Sequence, residues 1–458
     1  MYEAVLRALF FLCLPSPPQF SMLYIPPEIV DFIIDELWDD KPALKTCSCV
    51  YRDWLPRSRR YLFASVTLRV DWYAGVSKMD TFLSLISSPL ATFLPYIDEV
   101  RLTHKWNARD DGSPMLSPGD TLAALQIRGV RPSRLYLDCR SYLSHPPAGT
   151  PALTSSVLHL AIQMEGNYVA LDSIANYVCS FPLLQSLKIV GRPSDVNGFS
   201  HPAVLTLPSQ LHTFYTSHKS FTDWLLTLNP PPTQITKLGI LQAPSDGLDW
   251  PAVNRYLTSP CAAGIETLVF DTTSFIGSIH GPELQNLRRL RHLVINQLHV
   301  SAPNTLRNLL SVLETAPTVR GTLETITLSR AFRNCPVATC TFPAQEWREL
   351  DAAVADSVEA HEYPRLRRFV VNTADEDSCD LRDVLGQLAF EVGEPIALAL
   401  QTHLGRCAHH GLLRVEGIPN VPSVSPKVVW TTAKYDTSPA GLDLHSRRRN
   451  GRRLANIR

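Results

Sequence analysis

A short phrase with apolar residues at its first, fourth and sixth positions recurs along this 458-residue chain and constrains its fold more than any other feature. The full copies are Ile97-x-x-Val100-x-Leu102, Leu184-x-x-Leu187-x-Ile189, Ile235-x-x-Leu238-x-Ile240, Ile265-x-x-Leu268-x-Phe270, Leu290-x-x-Leu293-x-Ile295, Leu323-x-x-Ile326-x-Leu328 and Leu366-x-x-Phe369-x-Val371. Weaker copies end at Leu137, Leu160, Leu211-x-x-Phe214 and Val415. Alternation over the last positions spells a short strand with one buried side. Successive copies are mostly roughly 23 to 35 residues apart, widening to about 43 at the end, close to the length of known strand-and-helix repeats with insertions.

Helical patterns fill the intervals, at 80–94, 168–180, 221–228, 304–314 and 344–361. Proline marks the junctions, as at Pro89, Pro95, Pro182, Pro260, Pro317 and Pro364. With 36 Pro against 21 Gly, the chain reads as many short elements with hard stops, not as a flexible low-complexity polymer. At 45% hydrophobic it can bury a large core, and a non-repetitive chain of this length would divide into about three domains. A doubly wound α/β enzyme would also alternate strands and helices. It would be expected to carry a glycine-rich strand-to-helix turn, and there is no G-x-G-x-x-G, G-x-x-x-x-G-K or G-x-S-x-G. Crossovers repeated so often fit a solenoid better. The expected fold class is therefore α/β, with an irregular repeat solenoid as the bulk of the chain.

A different chemistry precedes the repeats. Pro26 and Pro27 pre-set the φ of a first helical turn, Glu28 suits its dipole, and Ile29, Ile33 and Leu37 recur at i, i+4 and i+8, with Val30 and Ile34 beside them. Asp39 and Asp40 are candidate caps for a second helix with Pro42 in its first turn and with Leu44, Cys47, Val50 and Trp54 near one face, before Pro56 ends it. The apolar surface of this segment exceeds what so small a core can use, which points to a partner.

The order Ile25-Pro26-x-Glu28-Ile29, then Ile33, Leu37, Leu44, Val50-Tyr51-Arg52-x-Trp54 and Leu62-Phe63 resembles the F-box, and is similar to the F-box-like opening of large basidiomycete fungal families. Ile25 stands where Leu is usual and Val50-Tyr51 where Val-Cys is usual. The resemblance implies that this module attaches a substrate receptor to the small adaptor subunit and cullin of an SCF-type (cullin-RING) ubiquitin ligase. The residues it implies for adaptor binding are Ile25, Pro26, Ile29, Ile33, Leu37, Leu44, Val50 and Trp54. The repeated phrase in turn resembles the degenerate leucine-rich repeats that follow F-boxes in many receptors, which implies a horseshoe-like solenoid. It departs from them at the ninth position, usually Asn or Cys, which is Arg192, Ala243, Thr273, Leu298 or Ala331 here.

If the repeats stack, the residues beside the buried positions form an exposed strand face. Lys188, Asp271, Asn296, Thr325, Thr327, Ser329, Arg368 and Asn372 are the candidates there for holding a protein substrate through hydrogen bonds and a few anchors. The expected organisation is an N-terminal extension over 1–22, the helical module over 23–66, the repeat domain over 67–430 and a basic tail over 431–458. The alternative is a scaffold built on the same repeats with no link to a ligase.

Other function classes find little support. Net charge is zero, so no bulk electrostatic case exists for nucleic acid or membrane, although the last 13 residues, from Ser446, hold six Arg and no acid and would suit nuclear import or phosphate contacts. Ten cysteines without even spacing indicate neither a disulfide framework nor a zinc site, and Cys407-x-His409-His410 lacks a fourth ligand at a plausible spacing. No catalytic constellation, metal or cofactor is expected, and Asp110-Asp111 falls in a Gly/Ser/Pro-rich stretch that reads as a surface loop. The apolar run at 4–14 has the length of a signal-peptide core, but Arg7 interrupts it, and Met22 stands directly before the module as an alternative start. No run approaches a membrane span. A cytoplasmic or nuclear location is the expectation.

Overall fold

The computed structural model describes residues 26–416 except 39, 72–77, 90, 106–117, 140–153, 165–169, 192–205, 230–231, 242–249, 272–281, 297–304, 315–316, 330–343 and 373–399. Ile25, Asp39, Asp110, Asp111 and the arginine-rich tail therefore lie outside the described residues. The chain divides into two compact units, one running to Leu184 and the other starting at Gln185. The helical module and the first four strands share the first unit.

The first unit opens with α1 (Pro27–Glu36), α2 (Lys41–Val50) and α3 (Leu55–Phe63). Strand β1 (Ser65–Asp71) follows at once, then α4 (Lys78–Ile86), β2 (Glu99–Lys105), α5 (Pro118–Ile127), β3 (Arg134–Cys139), β4 (His159–Met164) and α6 (Leu171–Cys179). The second unit holds β5 (Ser186–Val190), β6 (Thr213–Thr216), α7 (Lys219–Thr227), β7 (Lys237–Ile240), α8 (Trp250–Leu257), β8 (Thr267–Asp271) and β9 (His292–Asn296). It continues with α9 (Thr305–Glu314), α10 (Pro317–Arg320), β10 (Thr325–Ser329), α11 (Ala344–Glu359), β11 (Arg368–Asn372), α12 (Gly405–His409) and β12 (Leu413–Glu416).

The fold is mixed α/β. Within each unit every strand pairs in parallel with the next one in the chain, and the order never reverses. The reversal at which doubly wound sheets bind ligands is therefore absent from both units as described.

The repeated phrase explains this order. Its fourth positions line up across the second unit as Leu187, Phe214, Leu238, Leu268, Leu293, Ile326, Phe369 and Leu413, none more than 1% exposed. Its sixth positions make a second buried row, Ile189, Thr216, Ile240, Phe270, Ile295, Leu328, Val371 and Val415. Thr216 is tolerated there because its hydroxyl donates to the His218 carbonyl and accepts from the His218 N–H, both at 3.2 Å. First positions, from Leu184 to Leu366, are buried as well. Removing water from these rows is worth about 1.5–3 kcal/mol per side chain, and a one-residue slip would turn a strand's whole row outward, so the phrase also fixes register.

A main-chain device repeats alongside. The carbonyl at the second position of each phrase accepts two N–H groups from the next strand: Gln185 from His212 and Thr213, His212 from Thr236 and Lys237, Thr236 from Glu266 and Thr267, and Glu266 from Arg291 and His292. Arg291 and Glu324 do the same for the two strands that follow. In the first unit Ala64 receives Asp98 and Glu99, and Ser133 receives Leu158 and His159. Arg192, Ala243, Thr273, Leu298 and Ala331, the ninth positions, lie outside the described residues; among those described, backbone groups hold the register.

Several boundaries differ from the sequence reading. The phrase that enters β4 is Val157-x-x-Leu160-x-Ile162, so it ends at Ile162 and not at Leu160. Pro56 sits in the first turn of α3 instead of ending α2, since its missing N–H is as harmless in a first turn as after a last one. The pattern at 80–94 stops at Ile86, ahead of Pro89, and Leu94–Tyr96 is a separate 3-10 turn. Helices α5, α8, α10 and α12 fall outside the helical patterns read from the sequence, α5 starting against the Gly/Ser/Pro-rich stretch.

Candidate functional site

The helical module has a closed core of its own. Val30, Ile34, Leu37, Ala43, Leu44 and Cys47 are buried together, with Ile33, Trp54, Tyr61 and Leu62 packed against them. On α1 the core residues recur at i, i+4 and i+7, which turns Ile29 and Phe32 to the far side and leaves Ile33 at the edge. The i, i+4, i+8 series read from the sequence therefore does not share one face: Leu37 belongs to the Val30 and Ile34 stripe.

Caps and charges fix the three helices. The Asp40 carboxylate accepts the Ala43 N–H at 2.9 Å, which makes it the cap of α2. Asp35 ties α1 to α3: Arg57 donates to both its oxygens, at 2.7 and 2.5 Å, and the Tyr61 hydroxyl donates at 2.8 Å. The Arg57 hydrogen bond holds the Asp35 carboxyl below the usual aspartate range, outweighing the opposite pull of burial. Burial, then the bond to Asp35, pushes the Tyr61 phenol up. Phe63 stacks on Phe93 at 4.6 Å between ring centroids, joining α3 to the chain that enters β2.

What the core does not use is displayed. Ile29 is 51% exposed, Phe32 62%, Trp38 49%, Val50 38% and Tyr51 60%. Of the residues implied for adaptor binding, Pro26, Ile29 and Val50 are exposed and Ile33 and Trp54 are half-buried. Leu37 and Leu44 are corrections: both are buried in the module's own core and present nothing to a partner. Phe32, Trp38 and Tyr51 are not among the residues implied for adaptor binding, although Tyr51 stands in the motif. A signal for Phe32 exists, since it sits i+3 from Ile29 on the face opposite Val30 and Ile34.

The strand face away from the buried rows differs between the units. In the first it is polar and internally paired. Glu99 accepts from Ser65 at 3.0 Å and pairs with Arg101, while Arg134 donates to Asp98 at 2.7 Å and approaches Glu99 at 3.7 Å. Burial raises the Asp98 carboxyl, but hydrogen bonds from Ser133 and Arg134 outweigh it and leave it below the ordinary range. Tyr136 donates to Gln163 on the adjacent strand. None of these residues is a candidate from the sequence.

In the second unit the central row of that face, in register, is Lys188, Tyr215, Gly239, Val269, Val294, Thr327, Val370 and Arg414. The Tyr215 ring lies over Gly239, so closely that a Cβ there would overlap it, and the Lys237 ammonium sits 5.6 Å from the ring centroid. Of the candidates, Lys188, Asn296, Thr325, Thr327 and Ser329 are half-buried on this face and Arg368 is exposed. Asp271 is a correction: it is only 2% exposed, so it is not an open polar contact. Asn372 ends β11, and it pairs in register with Ser329 and Glu416 on the neighbouring strands.

Chemistry is sparse elsewhere. No group of three or more His, Cys, Asp or Glu among the described residues could hold a metal. Cys407 is buried, its N–H donating at 2.8 Å to the Asp351 carboxylate, which caps the last short helix, and His410 pairs with Glu359 at 3.0 Å. No described helix is long and apolar enough to cross a membrane. A scan against protein-family models and a search of curated proteins find no match for this chain.

Proposed function

We propose that this chain is a non-enzymatic substrate receptor of an SCF-type cullin-RING ubiquitin ligase, with an F-box-like module that docks the small adaptor and an irregular leucine-rich-repeat solenoid that holds a protein substrate. One observation carries the reading: a helical module with a complete core of its own exposes Ile29, Phe32, Trp38, Val50 and Tyr51, apolar area that gains by being covered. Pro26 and Ile33 flank it. The parallel repeats supply the second half of the argument: within the second unit eight strands in register present one face that suits a protein partner. Catalysis would belong to other subunits, this chain contributing proximity. The cytoplasm and nucleus are the compartments this role requires.

The test is affinity purification of the tagged chain from fungal cells beside the Ile29→Asp/Phe32→Asp double variant, followed by mass spectrometry. Recovery of adaptor and cullin with the parent chain, and their loss with a variant that melts at the same temperature, is the expected result. Absence of both subunits from the parent sample would refute the ligase reading and leave a repeat scaffold.

A further inference from the structure

We infer that the strand face of the second unit takes an acidic segment of its protein partner, with two groups of carboxylates about six residues apart. This rests on the reading that the repeats hold a protein. The two rows nearest the middle of that face carry Lys188, Lys237, Arg368 and Arg414, together with His292, and no acid. The next row holds Asp271, which is buried, and Glu416 at the end of the last strand.

Three of these cations lack a carboxylate partner among the described residues, as do Arg288, Arg289, Arg365 and Arg367 in the same unit. Elsewhere in the second unit Arg255 meets Asp223 at 2.9 Å, Arg307 meets Glu349 at 3.0 Å and Arg320 meets Glu362 at 2.7 Å. On the strand face of the first unit Arg101 and Arg134 are matched by Glu99 and Asp98. Among the described residues Lys237, Arg368 and Arg414 have no carboxylate partner, although Lys237 rests beside the Tyr215 ring. Cations left without counter-charges on a parallel sheet raise the potential there and favour an anionic ligand.

Register gives the spacing. Lys237 is on β7 beside Tyr215 on β6, while Arg368 and Arg414 flank the buried Val370 on β11 and β12. From β7 to β11 is four strand spacings, about 19 Å at about 4.8 Å each, which an extended peptide crosses in about six residues. Between the two basic groups the row runs through Gly239, Val269, Val294 and Thr327, of which Gly239 and Val269 are buried and Val294 and Thr327 half-buried. Cations in two separate groups beside one aromatic ring suit a peptide. A polynucleotide would call for a continuous basic track and several stacking platforms.

The probe is a fluorescein-labelled peptide with two Glu pairs separated by six Ala, Leu and Ser residues, titrated with the full chain and followed by anisotropy. Binding should weaken at least about tenfold in the Lys237→Glu/Arg368→Glu variant at unchanged melting temperature, survive Arg368→Lys, and fall severalfold when the spacer is cut to two residues. Equal binding by parent and double variant, or by a peptide with Lys in place of Glu, overturns the inference. So does a single-stranded 15-mer oligonucleotide that binds more tightly than the acidic peptide. Adaptor recovery is measured on the same samples: peptide binding without adaptor recovery removes the ligase reading and leaves this one standing, and adaptor recovery without peptide binding does the reverse.

Discussion

The helical module and the second unit treat large apolar side chains in opposite ways. Of eight large hydrophobic residues exposed among the described residues, five lie between Ile29 and Tyr51 and none lies beyond Leu183. The second unit buries both apolar positions of every strand. The module, with roughly the chain length of a single repeat, buries six apolar residues and shows five large ones. A parallel strand is covered by its neighbours and by the helices that connect them, so a well-made phrase leaves nothing over. Three short helices have more surface than their mutual contacts can hide, and what is left over is where a partner gains most.

That contrast can be broken by placing a charge on either side of α1. Ile34→Asp puts a carboxylate where the parent side chain is fully buried and should cost about 4 kcal/mol or more, seen as an early unfolding transition in urea. Phe32→Asp, on the opposite face, should stay within about 0.5 kcal/mol of the parent, and a loss comparable to that of Ile34→Asp would mean that the face is core after all. A smaller effect tests the second unit. Gly239→Ala should cost about 1–3 kcal/mol by displacing the Tyr215 ring, and should cost much less in a Tyr215→Ala background. If the double variant is no better than the sum of the two changes, the ring is not what excludes the methyl.

The Asp35 clasp sharpens the comparison from the polar side. Its folded pKa is lowered, so its contribution is fully present above about pH 4, the unfolded aspartate value, and is lost as pH falls through the lower folded value. With the Asp35 and Arg57 side chains 36% and 32% exposed, solvent screening keeps this near or below about 1 kcal/mol. The stability difference between parent and Asp35→Asn should therefore shrink on acidification, and a constant difference from about pH 7 to about pH 3 would show that the clasp is not electrostatic. Smallest is His361, which follows α11 with φ of 59°. His361→Gly relieves left-handed strain and should raise stability by up to about 1 kcal/mol, measured as a small increase in urea midpoint.

Much of the strand architecture is legible because one side of each strand must be apolar. Leu187, Leu238, Leu293 and Phe369 can be picked out by spacing alone, and all are buried. Faces are harder to read. Leu37 fits an i+8 series from Ile29 and an i+7 series from Val30 equally well, and only the packing of α1 against its neighbours chooses the second. Leu44, which the resemblance implies for docking, is instead part of the module's buried core. On the strand face, polar residues look exposed in the sequence, whereas the middle row is Tyr215, Gly239, Val269 and Val294, and Asp271 is hidden.

The sequence by itself determined the α/β class, the parallel strand positions in the second unit and the presence of a separate helical opening, because periodicity and proline placement act within a few residues. Tertiary structure alone decided which apolar residues of the module are left outside, which cations go without a carboxylate and how the repeats lock together. The lock is a main-chain carbonyl accepting two N–H groups, from Gln185 through Glu324, and every residue except proline carries that acceptor and that donor in the same form. A bond that any side chain permits leaves no mark in the order of the side chains.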